Sequence, residues 1–454
     1  MIEKIIEGSV KNRFFVVIVT GIVIAAGLWS MLKTPVDAIP DLSDVQVIIF
    51  TKYPGQAPQV VEDQVTYPLT TAMLSVPYAQ TVRGYSFFGF SMVYIIFEDG
   101  TDLYWARSRV LEYLNFVQGR LPQGVTPQLG PDATGVGWVY IYSLISDKHD
   151  LAQLRSIQDW YLRYALMSVS GVAEVASAGG FVKQYQVEVD PEKLRAFGLS
   201  LQAVNKAIKR SNIDVGGRLL EMGETEYMVR GKGYIGSIED LENVPVGVDK
   251  DTHTPIMLNQ VANIQIGPEI RRGVIEMNGE GEAVAGIVII RFGENALEVI
   301  KKVKQRLEEL KPGLPEGVEI HTSYDRSGLI LRAIDTLKNK LTEEMIVVAI
   351  IIILFLLHFR SAFVALFTLP VGILMSFIIM KLLGINANIM SLGGIAIAIG
   401  VMVDASVVMV ENLHKHKERD HGLTQSELVI RAAKEVGPAL FFSLVIITIS
   451  FLPV

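Results

Sequence analysis

One carboxylate sits where a carboxylate is expensive. Asp404 is the single charge inside Ile389–Glu411 (IMSLGGIAIAIGVMVDASVVMVE), a run of about 23 residues and long enough to cross a bilayer. Placing an ionised acid within hydrocarbon costs about 2.5–3.5 kcal/mol on insertion scales. On a helix, Gly393, Ile397, Gly400 and Asp404 fall on one stripe, with Glu411 further along. Gly394, Ala398 and Ala405 widen it into a small-residue face, so a neighbouring helix can pack close and hide the acid from lipid. Two chemistries fit. The acid is either a proton or ion relay, or a permanently protonated or paired group that locks helices together. Thioethers are the second candidate. Met402 and Met409 are seven apart on a face roughly opposite Asp404, and Met390, twelve before Met402, reads as lying on about the same face. Uncharged sulfurs in file suit soft monovalent cations such as Cu(I) and Ag(I). Gap-filling packing is the reading these residues favour by themselves.

These residues need membrane helices to carry them. Phe14–Leu32 is an uncharged run that reads as a first span. Lys4, Lys11 and Arg13 precede it and Asp37, Asp41 and Asp44 follow, which puts the N-terminus in the cytoplasm. There is no small-residue cleavage site, so the run is expected to stay as an anchor. A long helix from about Asp325 enters the membrane as Met345–Leu357 and is stopped by His358 and Arg360. Phe363–Leu383 returns, Gly384–Asn388 turns, and the helix of Asp404 goes back in. His414–Gly437 reads as a charged, amphipathic cytoplasmic segment, and Pro438–Val454 opens a fifth span that stops like a truncated sequence.

Between the first two spans, roughly 310 residues alternate strand and helix on the far side of the membrane. Val45–Thr51, Ser91–Phe97 and Trp138–Leu144 read as strands, and Gln56–Leu74, Asp102–Gly119 and Leu151–Ser168 as helices. Val172–Ala178 and Gln184–Val189 read as a hairpin around Gly179–Gly180, while Leu121–Pro131 and Lys311–Gly317 are breaks. This repeat suggests split βαβ subdomains. Asp190–Gly267, with the helix Leu201–Ser211, reads as an insertion into the second of them, which resumes at Arg271–Arg291 and closes with Val318–Thr322. The fold class expected is thus a membrane α-helical bundle plus an α+β periplasmic domain.

Composition narrows the function. Half of the 454 residues are hydrophobic and 20% charged, which suits a membrane protein with a large polar domain. The net charge of −7 and the scattered basic residues point away from nucleic acid. With no cysteine, disulfides and thiolate metal sites are excluded. No nucleophile–base constellation is present, so an enzyme is not expected. Gly216–Gly217 and Gly279–Gly281 lack the lysine that closes a phosphate loop. His414, His416 and His421 read as a solvated basic stretch rather than a metal site, and the periplasmic Met73, Met92, Met167, Met222, Met228, Met257 and Met277 as core.

The segments LPVGIL and NANIMSLGGIAIAIGVMVDASVVMVEN resemble the resistance–nodulation–division (RND) superfamily of proton-driven exporters, and its copper/silver heavy-metal branch in particular. The likeness extends over Pro35–Ile49, Tyr53–Pro77, Phe97–Asn115, Gly130–Trp138 and EVGPALFFSL, effectively the whole chain. It implies protomers of twelve spans in two similar halves, with split βαβ (ferredoxin-like) porter subdomains. It also implies a homotrimer in the bacterial inner membrane, joined by a periplasmic membrane-fusion adaptor to an outer-membrane channel, with lipid as the surrounding partner.

On that map residues 1–34 are the cytoplasmic N-terminus and first span, 35–132 the first porter subdomain and 133–180 the start of the second. Residues 181–270 are a docking insertion, 271–325 complete the second subdomain, and 326–454 hold spans two to five with a cytoplasmic segment at about 414–437. Asp404 matches the family's proton-relay acid, whose lysine and glutamate partners lie in the second half. Copper/silver members carry methionines at the positions of Met390, Met402 and Met409. A single acid followed by Ala405 is their form, whereas divalent-metal members add an acid where this chain has Ala398–Val401. One departure is Ile270, ahead of Arg271 and Arg272, in place of a family methionine. The resemblance thus implies proton-coupled Cu(I)/Ag(I) efflux without a resident cofactor. A zinc, cobalt or nickel exporter and a half-length, non-transporting binding or assembly component are the alternatives.

Overall fold

The computed structural model describes residues 2–37, 39–249, 252–271, 273–356, 359–419 and 422–451. His358, Arg272, His421 and Val454 lie outside them, and the side chains of Met345 and Arg360 are likewise not described.

Two four-stranded sheets organise the polar part. The first comprises β1 (Gln46–Lys52), β2 (Ala79–Phe87), β3 (Phe90–Phe97) and β4 (Pro127–Leu129) in the order β2-β3-β1-β4. Alternation builds its core: Val47 and Ile49 of β1 and Val93, Ile95 and Phe97 of β3 point inward. The helix Leu103–Val117 meets them with Leu103, Ala106, Val110, Leu114 and Val117, the spacing of one helical face. Asp102 caps that helix by accepting from the Trp105 amide at 2.7 Å.

The second sheet repeats the plan. It comprises β5 (Trp138–Ile145), β6 (Val172–Gly179), β13 (Val284–Ile290) and β14 (Glu319–Asp325), in the order β14-β5-β13-β6. Helices within Leu151–Met167 and at Ala296–Leu310 cover one face. Both units are therefore split βαβ folds with the same strand order. The first covering helix of each contains a π-helical turn, at Glu62–Thr66 and at Gln158–Leu162.

The expected hairpin between Val172–Ala178 and Gln184–Val189 does not form. β6 pairs with β13, and β7 (Lys183–Val189) pairs with β12 (Ala262–Pro268) in a separate ribbon. Burial decides it, because Val172 and Val175 belong to the same core as Val284 and Val288, whereas β7 has no fully buried residue. Gly179 and Gly180 (φ +72 and +65) turn the chain away. Where the second subdomain resumes after the insertion, its strand is β13, and β2 escapes a sequence reading because its exposure does not alternate.

Everything from β7 to β12, including the paired β10 (Pro245–Val248) and β11 (Pro255–Met257), is one insertion with its own core of Leu194, Val204, Leu241, Val244, Leu258 and Val261. From it projects a two-stranded ribbon, β8 (Val215–Met222) and β9 (Thr225–Gly231), in which every residue is exposed. Met222 and Met228 therefore stand in the open rather than in a core, while Met73 is fully buried as expected.

Among the described residues, three helices are long and apolar enough to cross a membrane: Arg13–Lys33, Ile389–Arg419 and Gln425–Phe451. Phe367–Leu383 is a shorter apolar stretch within the helix Phe359–Leu383. The run expected as Met345–Leu357 belongs to one helix, Arg326–Leu356, that begins in the second sheet's core through Ile330. Among the described residues, no separate amphipathic element occupies His414–Gly437. That charge is shared between the end of Ile389–Arg419 and the start of Gln425–Phe451. A short helix, Ile2–Lys11, lies against the latter, where Lys434 pairs with Glu7 at 2.6 Å.

Candidate proton and metal path

Asn388 starts the helix of Asp404. Its side-chain oxygen accepts from the amides of Met390 (3.0 Å) and Ser391 (2.9 Å), satisfying donors the first turn leaves free. From there Leu392, Ile395, Ile399 and Val403 form the packed face, against Leu369, Phe377, Met380 and Ala387. In lipid such contacts gain little from the hydrophobic effect, so close fit and interhelical hydrogen bonds hold the pair. One such bond joins Thr368 and Ser406 at 3.0 Å.

Asp404 follows Val403 by one residue, about 100° around the helix, and so stands on the flank of this contact. It is exposed, as are Ile397 and Gly400 on the same stripe. A Cβ added at Gly393 or Gly394 would meet nothing within 4 Å among the described residues. Among the described residues, the neighbouring helices of this chain pack on the adjacent apolar face and leave the small-residue face open to a further helix. Glu411, further along, is exposed and ion-paired to Lys415 at 2.8 Å.

The three methionines are not equivalent. Met402 is half-buried, and its sulfur would lie 2.6 Å from a Cβ placed on Gly372. Met409 is also half-buried, but Met390 is 72% exposed. Twelve residues leave Met390 about a third of a turn away from Met402, so the shared face holds for Met402 and Met409 alone. At about 1.5 Å of rise per residue Met402 and Met409 are about 10 Å apart along the axis, and Met390 about 18 Å from Met402. None of them shares a coordination sphere with another, so the three do not form one metal site.

Other ligand sets are sparse. No group of three His, Asp or Glu side chains able to hold a metal occurs among the described residues. His416 is bonded to Glu435 across the helix hairpin. Ile270 is 84% exposed, and its neighbour Arg271 stacks on Phe181 at 4.2 Å and pairs with Glu282. That pairing holds the Glu282 carboxyl below the usual carboxylate range. A contact that motif reading does not find joins the segment after the helix Arg13–Lys33 to the start of Arg326–Leu356, where Arg326 meets Asp37 at 2.9 Å.

Comparison with known proteins gives a consistent family. A model described as the AcrB/AcrD/AcrF family matches residues 5–454. The chain is similar to the cation efflux system protein CusA of Escherichia coli (strain K12), 58% identical over 465 residues, covering 100% of this chain and 44% of that protein. The putative cation efflux system protein SilA of Salmonella typhimurium is likewise 58% identical over the same shares. The cobalt-zinc-cadmium resistance protein CzcA of Cupriavidus metallidurans is 36% identical, again over 100% and 44%. A crystal structure of a heavy metal efflux pump superposes with a TM-score of 0.86 at 31% identity, covering 99% of this chain and 44% of that one. The chain spans less than half the length of the relatives it matches.

Proposed function

The chain belongs to the AcrB/AcrD/AcrF family, and from that membership we propose that it supplies the N-terminal part of a proton-driven Cu(I)/Ag(I) exporter of the inner membrane. It acts as a carrier rather than an enzyme, in a trimer coupled through a periplasmic adaptor to an outer-membrane channel. The observation that carries the reading is a lone acid, Asp404, midway along a membrane-length helix on a stripe of small residues that its own neighbours leave open. A further helix can close on that stripe, and its fit then depends on whether the acid is charged.

Protonation removes the desolvation cost of bringing that helix in, and release of the proton restores it. Each proton descending the membrane potential supplies about 2.3 kcal/mol per 100 mV, enough to bias such a two-state packing. Two features favour monovalent over divalent cargo: Ala398–Val401 offers no second acid, and Met402 and Met409 offer soft sulfur. The similarity to CusA and SilA points the same way. Assembly with further copies is supported by the ribbon Val215–Gly231, whose apolar residues Leu219, Leu220 and Val229 are exposed among the described residues.

The test is Asp404→Asn, expressed from its own reading frame in cells made sensitive to silver, copper and zinc. The expected result is loss of silver and copper resistance and of metal-dependent proton flux, at unchanged protein level. Intact resistance and flux would remove the relay, and protection against zinc alone would favour a divalent exporter.

A further inference from the structure

Besides the helix Arg326–Leu356, which starts in the second sheet's core, a second knot of contacts joins the membrane helices to that sheet. Ala387, immediately before the Asn388 cap, is paired with Val36: its amide donates to Pro35 O at 2.9 Å, and the Asp37 amide donates to Ala387 O at 2.9 Å. Val36 packs against two cores at once, that of the helix pair holding Met402 and that of the second sheet. Asp37, next in the chain, pairs with Arg326, the first residue of the helix Arg326–Leu356. Arg326 is only 4% exposed, and its guanidinium also donates to Val136 O at 2.5 Å, two residues before β5. Beside it Lys304, on the helix covering that sheet, pairs with Asp325 and donates to Ser327 at 3.0 Å.

A buried guanidinium is costly to leave without its carboxylate, so loss of the Asp37 ion pair is strongly unfavourable. Its two partners lie on different segments of the chain. Asp37 follows the cap of the Asp404 helix through the Ala387 bridge, and Val136 follows β5. We infer that the Asp37–Arg326 pair is a positioning joint that couples movement of the helix Ile389–Arg419 to the second βαβ unit. Tilting the helix carries Ala387, Val36 and Asp37 with it, and Arg326 passes the displacement to the loop entering β5. This assignment rests on the export reading above, since it gives the helix movement a destination. Motion runs both ways through such a joint, so cargo bound outside the membrane biases the helix in return.

The chain contains no cysteine, so two can be introduced for fluorophores. Leu383→Cys, at the membrane turn, and Tyr164→Cys, on a helix of the second unit, are both at exposed positions. Energy transfer between them is read in the full chain in lipid vesicles, before and after adding Ag(I). The expected result is a silver-dependent change that Asp37→Asn and Arg326→Gln each reduce about ten-fold or abolish, with folding checked by circular dichroism. Combining the two substitutions adds nothing further, because they break one contact. Arg326→Lys, which keeps the charge and loses the fork, gives an intermediate response and keeps the test decisive should the glutamine variant misfold. Folded variants with an undiminished response would overturn the joint while leaving the export reading standing. Absence of any silver response without these substitutions would overturn that reading and the joint with it.

Discussion

Met402 rests its sulfur on Gly372, so a thioether proposed to carry metal is also a packing element between two helices. The two roles separate experimentally. Met402→Leu conserves volume and costs less than about 1.5 kcal/mol as a packing change. The expected outcome is a near-unchanged melting temperature with a several-fold loss of silver tolerance, and the same for Met409→Leu. Retained tolerance in both would assign these residues to packing alone.

Close approach is also required at Gly27. A Cβ there would lie 2.5 Å from Leu374 Cβ and 2.9 Å from Leu374 O, because the helices Arg13–Lys33 and Phe359–Leu383 touch at this point. Gly27→Val is expected to destabilise the protein by about 1–3 kcal/mol through overpacking. Thermal denaturation in detergent measures it, with Gly21→Val as the control, since a Cβ there meets no other part of the described residues within 4 Å.

The N-terminal helix carries a pH signature. Hydrogen bonds from Lys11 and Lys434 hold the Glu7 carboxyl down at about 2, against an ordinary 4.5. A depressed acid contributes stability that is complete above its unfolded value and fades as pH falls through the folded one. Docking of Ile2–Lys11 on Gln425–Phe451 should therefore be constant above about pH 5 and weaken progressively between about 4.5 and 2. Hydrogen exchange of the helix amides reads this. Glu7→Gln should abolish the pH dependence, and Gly437→Leu should loosen the helix at every pH by striking Ile6.

Gly179 tests the junction of the second unit with its insertion. Its φ of +72 suits glycine, and a Cβ would fall 2.1 Å from Ala283 O, which belongs to the backbone and cannot swing aside. Gly179→Ala should cost at least the 1–2 kcal/mol or so of left-handed strain, and more for the clash. Proteolysis should then cut first near residues 180–183. Resistance equal to the parent would contradict the geometry.

Much of this arrangement was legible in the amino-acid order, for reasons that differ by element. The helix of Asp404 and the span after Asn12 announce themselves by length and lack of charge, and β1 and β3 by strict alternation. The pairing of β6 was not legible. Gly179–Gly180 is a plausible hairpin turn by itself, and its true partner enters the chain more than a hundred residues later. Asp404 was found from composition, but which side of its helix lies open depends on where Leu392, Ile395, Ile399 and Val403 find partners. The Asp37–Arg326 pair left no local trace, since each residue reads as an ordinary charge flanking an apolar run and only folding brings them together.

The register of β6 against β13 has one last implication. Gly179 and Val284 are direct partners, so the segment between them leaves and re-enters at one point, where the first unit has only the tight Phe88–Gly89 loop between β2 and β3. A gene could shed or exchange this cassette at the cost of a short turn, leaving the parent sheet continuous. Whatever contacts the segment makes with other proteins can therefore diversify separately from the machinery beneath it.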